Sequence, residues 1–189
     1  VVTGGRTQDF TASSMFGIEP HLIVLSKGIA NGFPVAAVGG KKSIMSTFER
    51  DDFFVSGTFG GECLSLVACI ATCETLEIEL PRMIMNGQYI KSYFNDMFKL
   101  TGAVCKGYPT RLTFDFPTTE HKALFMQEMC LNGVLVGYSN MVMASYREKD
   151  LKKILNAIRI AYSVMVDNWD NPKSILQGPL PVETLRLRS

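Results

Sequence analysis

The chain has 189 residues, 47% of them hydrophobic and 20% charged, with a formal net charge of +1. That is ordinary globular composition, enough for one domain or parts of two, and it excludes disorder and any electrostatic case for nucleic acid or an anionic membrane. No apolar run reaches the ~18 residues a membrane span needs, and the start, Val1-Val2-Thr3-Gly4-Gly5-Arg6, has neither an initiator methionine nor a signal-peptide pattern, so the chain reads like the middle of a longer protein.

Thr3-Gly4-Gly5-Arg6 is a turn signal, followed to residue 20 by a loop or short helix. Leu22 to Leu25 is a short apolar run, expected as a strand buried on both faces. Lys27 follows it directly, with small residues and glycines behind it, at the end of a strand where open α/β sheets bind ligands. Partial desolvation there disfavours the ammonium form and frees the amine as a nucleophile, which suggests Schiff-base chemistry with an aldehyde cofactor. Ser26 beside it either hydrogen-bonds locally or orients the lysine. Val35 to Val38 is a second strand, Ser43 to Phe48 a helical turn, Asp51-Asp52 a surface loop and Phe53-Phe54-Val55 a third short strand.

Gly57-Thr58-Phe59-Gly60-Gly61 is a flexible loop before a long helix over Glu62 to Glu79, whose apolar positions Leu66, Ile70 and Cys73 fit a 3.6-residue period, as do Leu76 and Leu80 on an adjoining part of the face. Glu62 is placed either to cap that helix or to contact a substrate or partner. Pro81 interrupts the pattern, and a second amphipathic helix runs from Arg82 to Leu100, closed by Gly102. The rest reads as a smaller α+β domain: a strand over Arg111 to Phe116, a helix from Thr118-Thr119-Glu120 to about Leu131 ended by Asn132-Gly133, short strands at Val134-Val136 and Met141-Met143, and a last helix from Glu148 to about Asp167. His121 is expected on the solvated surface, and Trp169 as an anchor for the end of the last helix. The tail with Pro172, Pro179 and Pro181 is expected to be extended and available to wrap a partner.

The five cysteines are Cys63, Cys69, Cys73, Cys105 and Cys130. An odd count argues against a disulfide framework, and neither His21 nor His121 completes a metal-ligand spacing with them. Reduced structural cysteines point to the cytoplasm.

Four segments carry a family resemblance: Val2-Thr3-Gly4-Gly5-Arg6; Gly17-Ile18-Glu19-Pro20-His21-Leu22 with Ser26-Lys27-Gly28-Ile29-Ala30-Asn31-Gly32-Phe33-Pro34; Gly57-Thr58-Phe59-Gly60-Gly61; and Asn132-Gly133-Val134-Leu135 with Ser145-Tyr146-Arg147-Glu148-Lys149-Asp150-Leu151. In this order they resemble the C-terminal half of class III pyridoxal-phosphate aminotransferases, in the glutamate-1-semialdehyde aminomutase-like branch. The lysine motif followed by the Gly-Thr-Phe loop is the specific part. The resemblance implies an α/β fold of the PLP-dependent transferase type (fold type I, aspartate aminotransferase-like): residues 1–103 as the C-terminal part of the large domain with its connecting helix, and residues 104–189 as a small α+β domain.

It also implies roles. Lys27 would hold pyridoxal 5'-phosphate as a Schiff base and shuttle a proton at the substrate α-carbon. Gly57 and Thr58 would contact the cofactor phosphate, by analogy from the neighbouring subunit. The reaction would be amino-group transfer between a small-molecule donor and a carbonyl acceptor, or the isomerase variant in which the group moves within one molecule (2,1-aminomutase). The family works as a homodimer. The acid that pairs with the pyridine nitrogen would lie before Val1, so a complete site requires an N-terminal half, on the same polypeptide or as a separate chain. Departures at His21, Glu62-Cys63 and Tyr146-Arg147 suggest a divergent branch. Two rivals stand beside this reading. One is a non-catalytic structural or regulatory half-subunit of a split aminotransferase; the other is an aldolase-type lysine enzyme, which would not need the Gly57-Thr58 loop. On any reading that lacks the N-terminal half, the helix after Glu62 should expose apolar surface.

Overall fold

Five consecutive residues, Leu22–Ser26, form strand β1, and Ala36–Gly40 form β2. They pair antiparallel, from Leu22 opposite Gly40 to Ser26 opposite Ala36. The turn between them begins as a 3-10 helix, Lys27–Ala30, and bends back through Asn31 and Gly32. The computed structural model describes residues 1–180, so the expectation for Pro181 lies outside the described residues. The chain divides into two compact units, Val1–Ile84 and Met85–Ser189.

The first unit departs from expectation in three places. β1 is not buried on both faces: Leu22, Val24 and Val38 are 47%, 45% and 47% exposed. Val24 and Val38 are cross-strand partners on one side of the ribbon, and a two-stranded ribbon has no second layer to cover that side. Phe53-Phe54-Val55 forms no strand; all three are exposed, and only Phe53 gains a ring partner, set edge-on against Phe48 at 5.1 Å. Finally, Pro81 does not end the long helix. Helix α3 runs without a break from Cys63–Phe98 with Pro81 inside it. An interior proline costs a helix ~3 kcal/mol. An ion pair of Arg82 with Glu79 spans the proline position, with Arg82 Nε at 2.7 Å from Glu79 Oε2.

The inward stripe of α3 follows its apolar period only in part: Leu80 is buried as the period predicts. Leu66 and Ile70 are exposed, together with Leu64, Val67 and Ile78, whereas Ser65, Leu80 and Met83 are buried. The first half of α3 is apolar on more than one face, and periodicity alone cannot say which face packs within its own unit. The surface left over is the apolar exposure anticipated for this helix.

In the second unit, β3 (Val104–Tyr108) and β4 (Arg111–Asp115) form an antiparallel hairpin, and β5 (Asn140–Met141) adds to β4. β3 has no counterpart in the sequence reading, because Lys106-Gly107 breaks its apolar alternation. Helices α4 (Thr119–Leu131) and α5 (Glu148–Asp167) match their expected spans. Thr118 caps α4 by accepting from the His121 backbone N–H at 3.3 Å, and Gly133, at φ 71°, closes it. The expected strand at Val134-Val136 does not form. Asn140 ties that loop locally, accepting from Gly137 N at 2.9 Å and donating to Gly137 O at 3.0 Å. Gly87 of α3 approaches the hairpin turn so closely that a Cβ there would lie 1.8 Å from the Pro109 carbonyl oxygen.

His121 corrects the surface expectation. It is 7% exposed, its Nδ1 lies 2.8 Å from Thr118 Oγ1, and its Nε2 lies 3.0 Å from the Trp169 carbonyl oxygen. A carbonyl only accepts, so this geometry assigns the hydrogen to Nε2. The Trp169 ring packs on the imidazole at 4.1 Å between centroids, and so anchors the chain just beyond α5 as expected.

Candidate functional site

Lys27 is the first residue after β1, and its backbone is left-handed, with φ 56°. Few non-glycine side chains adopt this conformation, which costs an L-residue ~1–2 kcal/mol. Around it, Ser26, Lys27, Gly32, Phe33, Pro34, Val35 and Ala36 line an open cleft of 320 Å³. Ser26 closes the loop at its base: its hydroxyl donates to the Val35 carbonyl at 3.0 Å. Of the two readings of Ser26, the local bond is therefore present.

Lys27 is exposed, so the desolvation expected from a buried strand end is not provided within this unit. Its ammonium has no ion-pair partner among the described residues. Gly57 and Thr58 are also exposed and do not line the Lys27 cleft. Their loop turns on a hydrogen bond from Gly60 N to Gly57 O at 3.0 Å and enters α3 through Gly61.

Glu62 then caps the helix. Its carboxylate accepts from Leu64 N at 2.9 Å and Ser65 N at 2.7 Å, and from the Ser65 hydroxyl. These bonds, the Ser65 hydroxyl first, hold the Glu62 carboxyl below its ordinary range. The capping alternative is thus the one the geometry bears out. A carboxyl with a lowered folded-state pKa contributes stability above its unfolded pKa and loses it as pH falls through the folded value. Glu62→Ala should therefore unfold more easily than wild type at neutral pH, and the gap should close as the solution is acidified below the carboxylate range. Denaturation midpoints of both proteins across pH check this; a gap that persists in acid would remove the capping role.

The sequence profile of the family Aminotransferase class-III matches residues 1–136. The chain belongs to this family. Among curated class-III relatives, glutamate-1-semialdehyde 2,1-aminomutase of Methanocella arvoryzae is 41% identical over 80 residues, covering 42% of this chain and 19% of its own length. The enzyme of the same name from Methanosphaera stadtmanae is 28% identical over 182 residues, 85% of this chain and 43% of its own. The chain thus spans less than half of the curated relatives it matches. Solved structures share the fold. The FumI protein of Sphingopyxis sp. MTA144, in its PLP internal aldimine form, superposes with a TM-score of 0.74 at 22% identity, over 92% of this chain and 44% of that one. A β-phenylalanine aminotransferase from Variovorax paradoxus gives 0.76 at 16% identity, over 90% and 44%. The expected family and the α/β, fold type I class are borne out.

Within this class-III chain, the cleft wall from Gly32 to Ala36 joins the end of the lysine motif, Gly32-Phe33-Pro34, to the start of the second strand. Its signal was present in the Gly32-Phe33-Pro34 turn between two strands, which returns the chain beside the lysine. All five cysteines are free thiols. Burial pushes the Cys105 thiol up to about 12, which keeps it unreactive. No described helix is long and apolar enough to cross a membrane.

Proposed function

We propose that this chain carries the lysine half of a pyridoxal-phosphate site for amino-group transfer, either between molecules as a transaminase or within one as a 2,1-aminomutase. The observation that carries the proposal is Lys27: an exposed amine with no ion-pair partner among the described residues, in a left-handed turn that opens on a cleft beside the strand end. Bound pyridoxal phosphate supplies the electron sink that makes the substrate α-hydrogen acidic. The residues fit that group, because Lys27 is exposed and lines an open cleft. Lys27 would hold the cofactor through Nζ, and the same amine would take and return the substrate α-proton. Gly57 and Thr58 hold the phosphate with backbone and hydroxyl donors, presented from a neighbouring subunit, in keeping with their absence from the Lys27 cleft.

The same reading takes the large-domain portion to residue 103, where Gly102 turns the chain at φ 77°, with α3 as the connecting helix and the small domain beyond it. It takes a homodimer, or a dimer completed by a separate N-terminal half, as the working form. The exposed apolar residues on α3 support such a partner. It places the protein in the cytoplasm, and its substrates are a small amino donor and a carbonyl acceptor.

The test is to add pyridoxal phosphate to the full chain, reduce with borohydride and map the modified peptide. A visible band removed by borohydride, with the mass of the reduced cofactor on Lys27, is the expected result. With the N-terminal half present, a folded protein with no label at Lys27 would overturn the proposal and leave the half-subunit and aldolase-type readings.

A further inference from the structure

We infer that Ser26 is a positioning residue for Lys27: its hydroxyl clips the turn between β1 and β2 shut, and so holds the lysine in the conformation that faces the cleft. The inference rests on the proposed function. It comes from how Ser26 is held. Its backbone is extended, at φ −168° and ψ −166°, and lies opposite Ala36 in the strand pair. Its side chain reaches the next residue of the opposite strand end, donating to Val35 O at 3.0 Å. The next residue along, Lys27, switches to φ 56°. The chain therefore turns sharply at one peptide unit, immediately after a residue fixed on both its backbone and its side chain.

Beyond the strand pair that closes it at Ser26 and Ala36, the turn from Lys27 to Val35 is tied locally. Its internal backbone bonds are short-range: Asn31 N to Gly28 O at 3.4 Å, Phe33 N to Ala30 O at 3.2 Å and Val35 N to Phe33 O at 2.9 Å. None of them joins the lysine end of the turn to the Val35 end; the Ser26 hydroxyl does. Ile29 and Ala30 are buried and seat the middle of the turn. A left-handed lysine persists only where its surroundings over-determine it, and among these ties the serine clip is the one adjacent to it. Ser26 and Val35 also both line the cleft. The same hydrogen bond thus sets the cleft wall and the base of the lysine side chain together.

The test compares the full chain with Ser26→Ala and with the mutually isosteric pair Ser26→Thr and Ser26→Val, which share one volume while keeping or removing the hydroxyl. Two readouts are taken. The first is amide hydrogen exchange over residues 27–35 without cofactor, with α5 as an internal control. The second is the fraction of Lys27 trapped by borohydride at sub-saturating pyridoxal phosphate, followed as a function of pH. Loss of one net hydrogen bond predicts exchange in the turn faster by about 3- to 10-fold and trapping weaker by a similar factor in the Ala and Val proteins, with Thr near wild type. A merely structural serine would speed exchange but leave the trapped fraction at Lys27 unchanged at every pH, and that result overturns the inference. So does equal behaviour of Thr and Val, which still separates the hydroxyl from packing if the Ala protein fails to fold. If wild type itself shows no trapping at Lys27, the proposed function fails and takes the inference with it. Wild-type trapping with unaltered variants sinks the inference alone.

Discussion

Lys27→Ala is expected to abolish amino-group transfer, lowering kcat by about 100- to 10,000-fold or more, while leaving the protein as stable as wild type. The size follows from the two tasks assigned to one amine. A positioned proton-transfer group alone is worth ~10²–10⁴-fold, and loss of the covalent hold on the cofactor adds to that. The absence of a stability effect follows from the structure. Lys27 is exposed and has no ion-pair partner among the described residues, so alanine removes no buried contact. Its backbone stays at φ 56°, where alanine and lysine are strained alike. A companion Lys27→Gly sharpens the point, because glycine adopts φ > 0 freely. It should be inactive too, yet more stable than wild type by ~1 kcal/mol. Steady-state kinetics on the full enzyme, beside denaturation midpoints, check both. A lysine variant with wild-type turnover would end the catalytic assignment. A glycine variant no more stable than wild type would mean that the left-handed conformation carries no strain.

How much of this was legible in the sequence depends on the scale over which each residue is determined. Thr118 and Gly133 bracket α4 through bonds made within one turn of helix, so local pattern found both ends. Glu62 is similar: a carboxylate just before a run of small helix formers caps it through Leu64 and Ser65. Lys27 was found because strand, lysine and glycines are contiguous. What could not be read depends on distant partners. His121 looks like a surface residue until Trp169 packs on its ring and supplies a carbonyl to Nε2. Leu66 and Ile70 have the right period for a core yet face outward, since nothing local says which layer covers a helix with several apolar faces. Pro81 carries a break signal that the rest of α3 overrides. The proposed relation of Thr58 to Lys27 belongs to the same class, because Thr58 does not line the cleft beside Lys27.

The second large effect is on stability, at Phe94. Its ring is fully buried, stacks on Phe98 at 4.3 Å, tilts against Phe114 at 4.9 Å and meets Phe125 edge-on at 5.5 Å. These partners come from α3, β4 and α4, so one side chain links three elements of the second unit. Phe94→Ala should cost ~3–5 kcal/mol through lost burial and an uncollapsed cavity. Against the ~5–15 kcal/mol of a typical domain, that is enough to leave the unit marginal. Phe94→Leu keeps most of the apolar volume and should lose less. The contrasting position is Phe54, which is 88% exposed. Phe54→Ala should fall within ~0.5 kcal/mol of wild type, as surface changes do. Urea denaturation of the three variants decides the matter. If Phe94→Ala is as mild as Phe54→Ala, the aromatic cluster is not the core of the second unit. If Phe54→Ala costs more than ~1 kcal/mol while Phe94→Ala behaves as expected, the face bearing Phe54 is covered in solution, by the N-terminal half or by a second copy, and a cost that falls on dilution assigns it to the second copy.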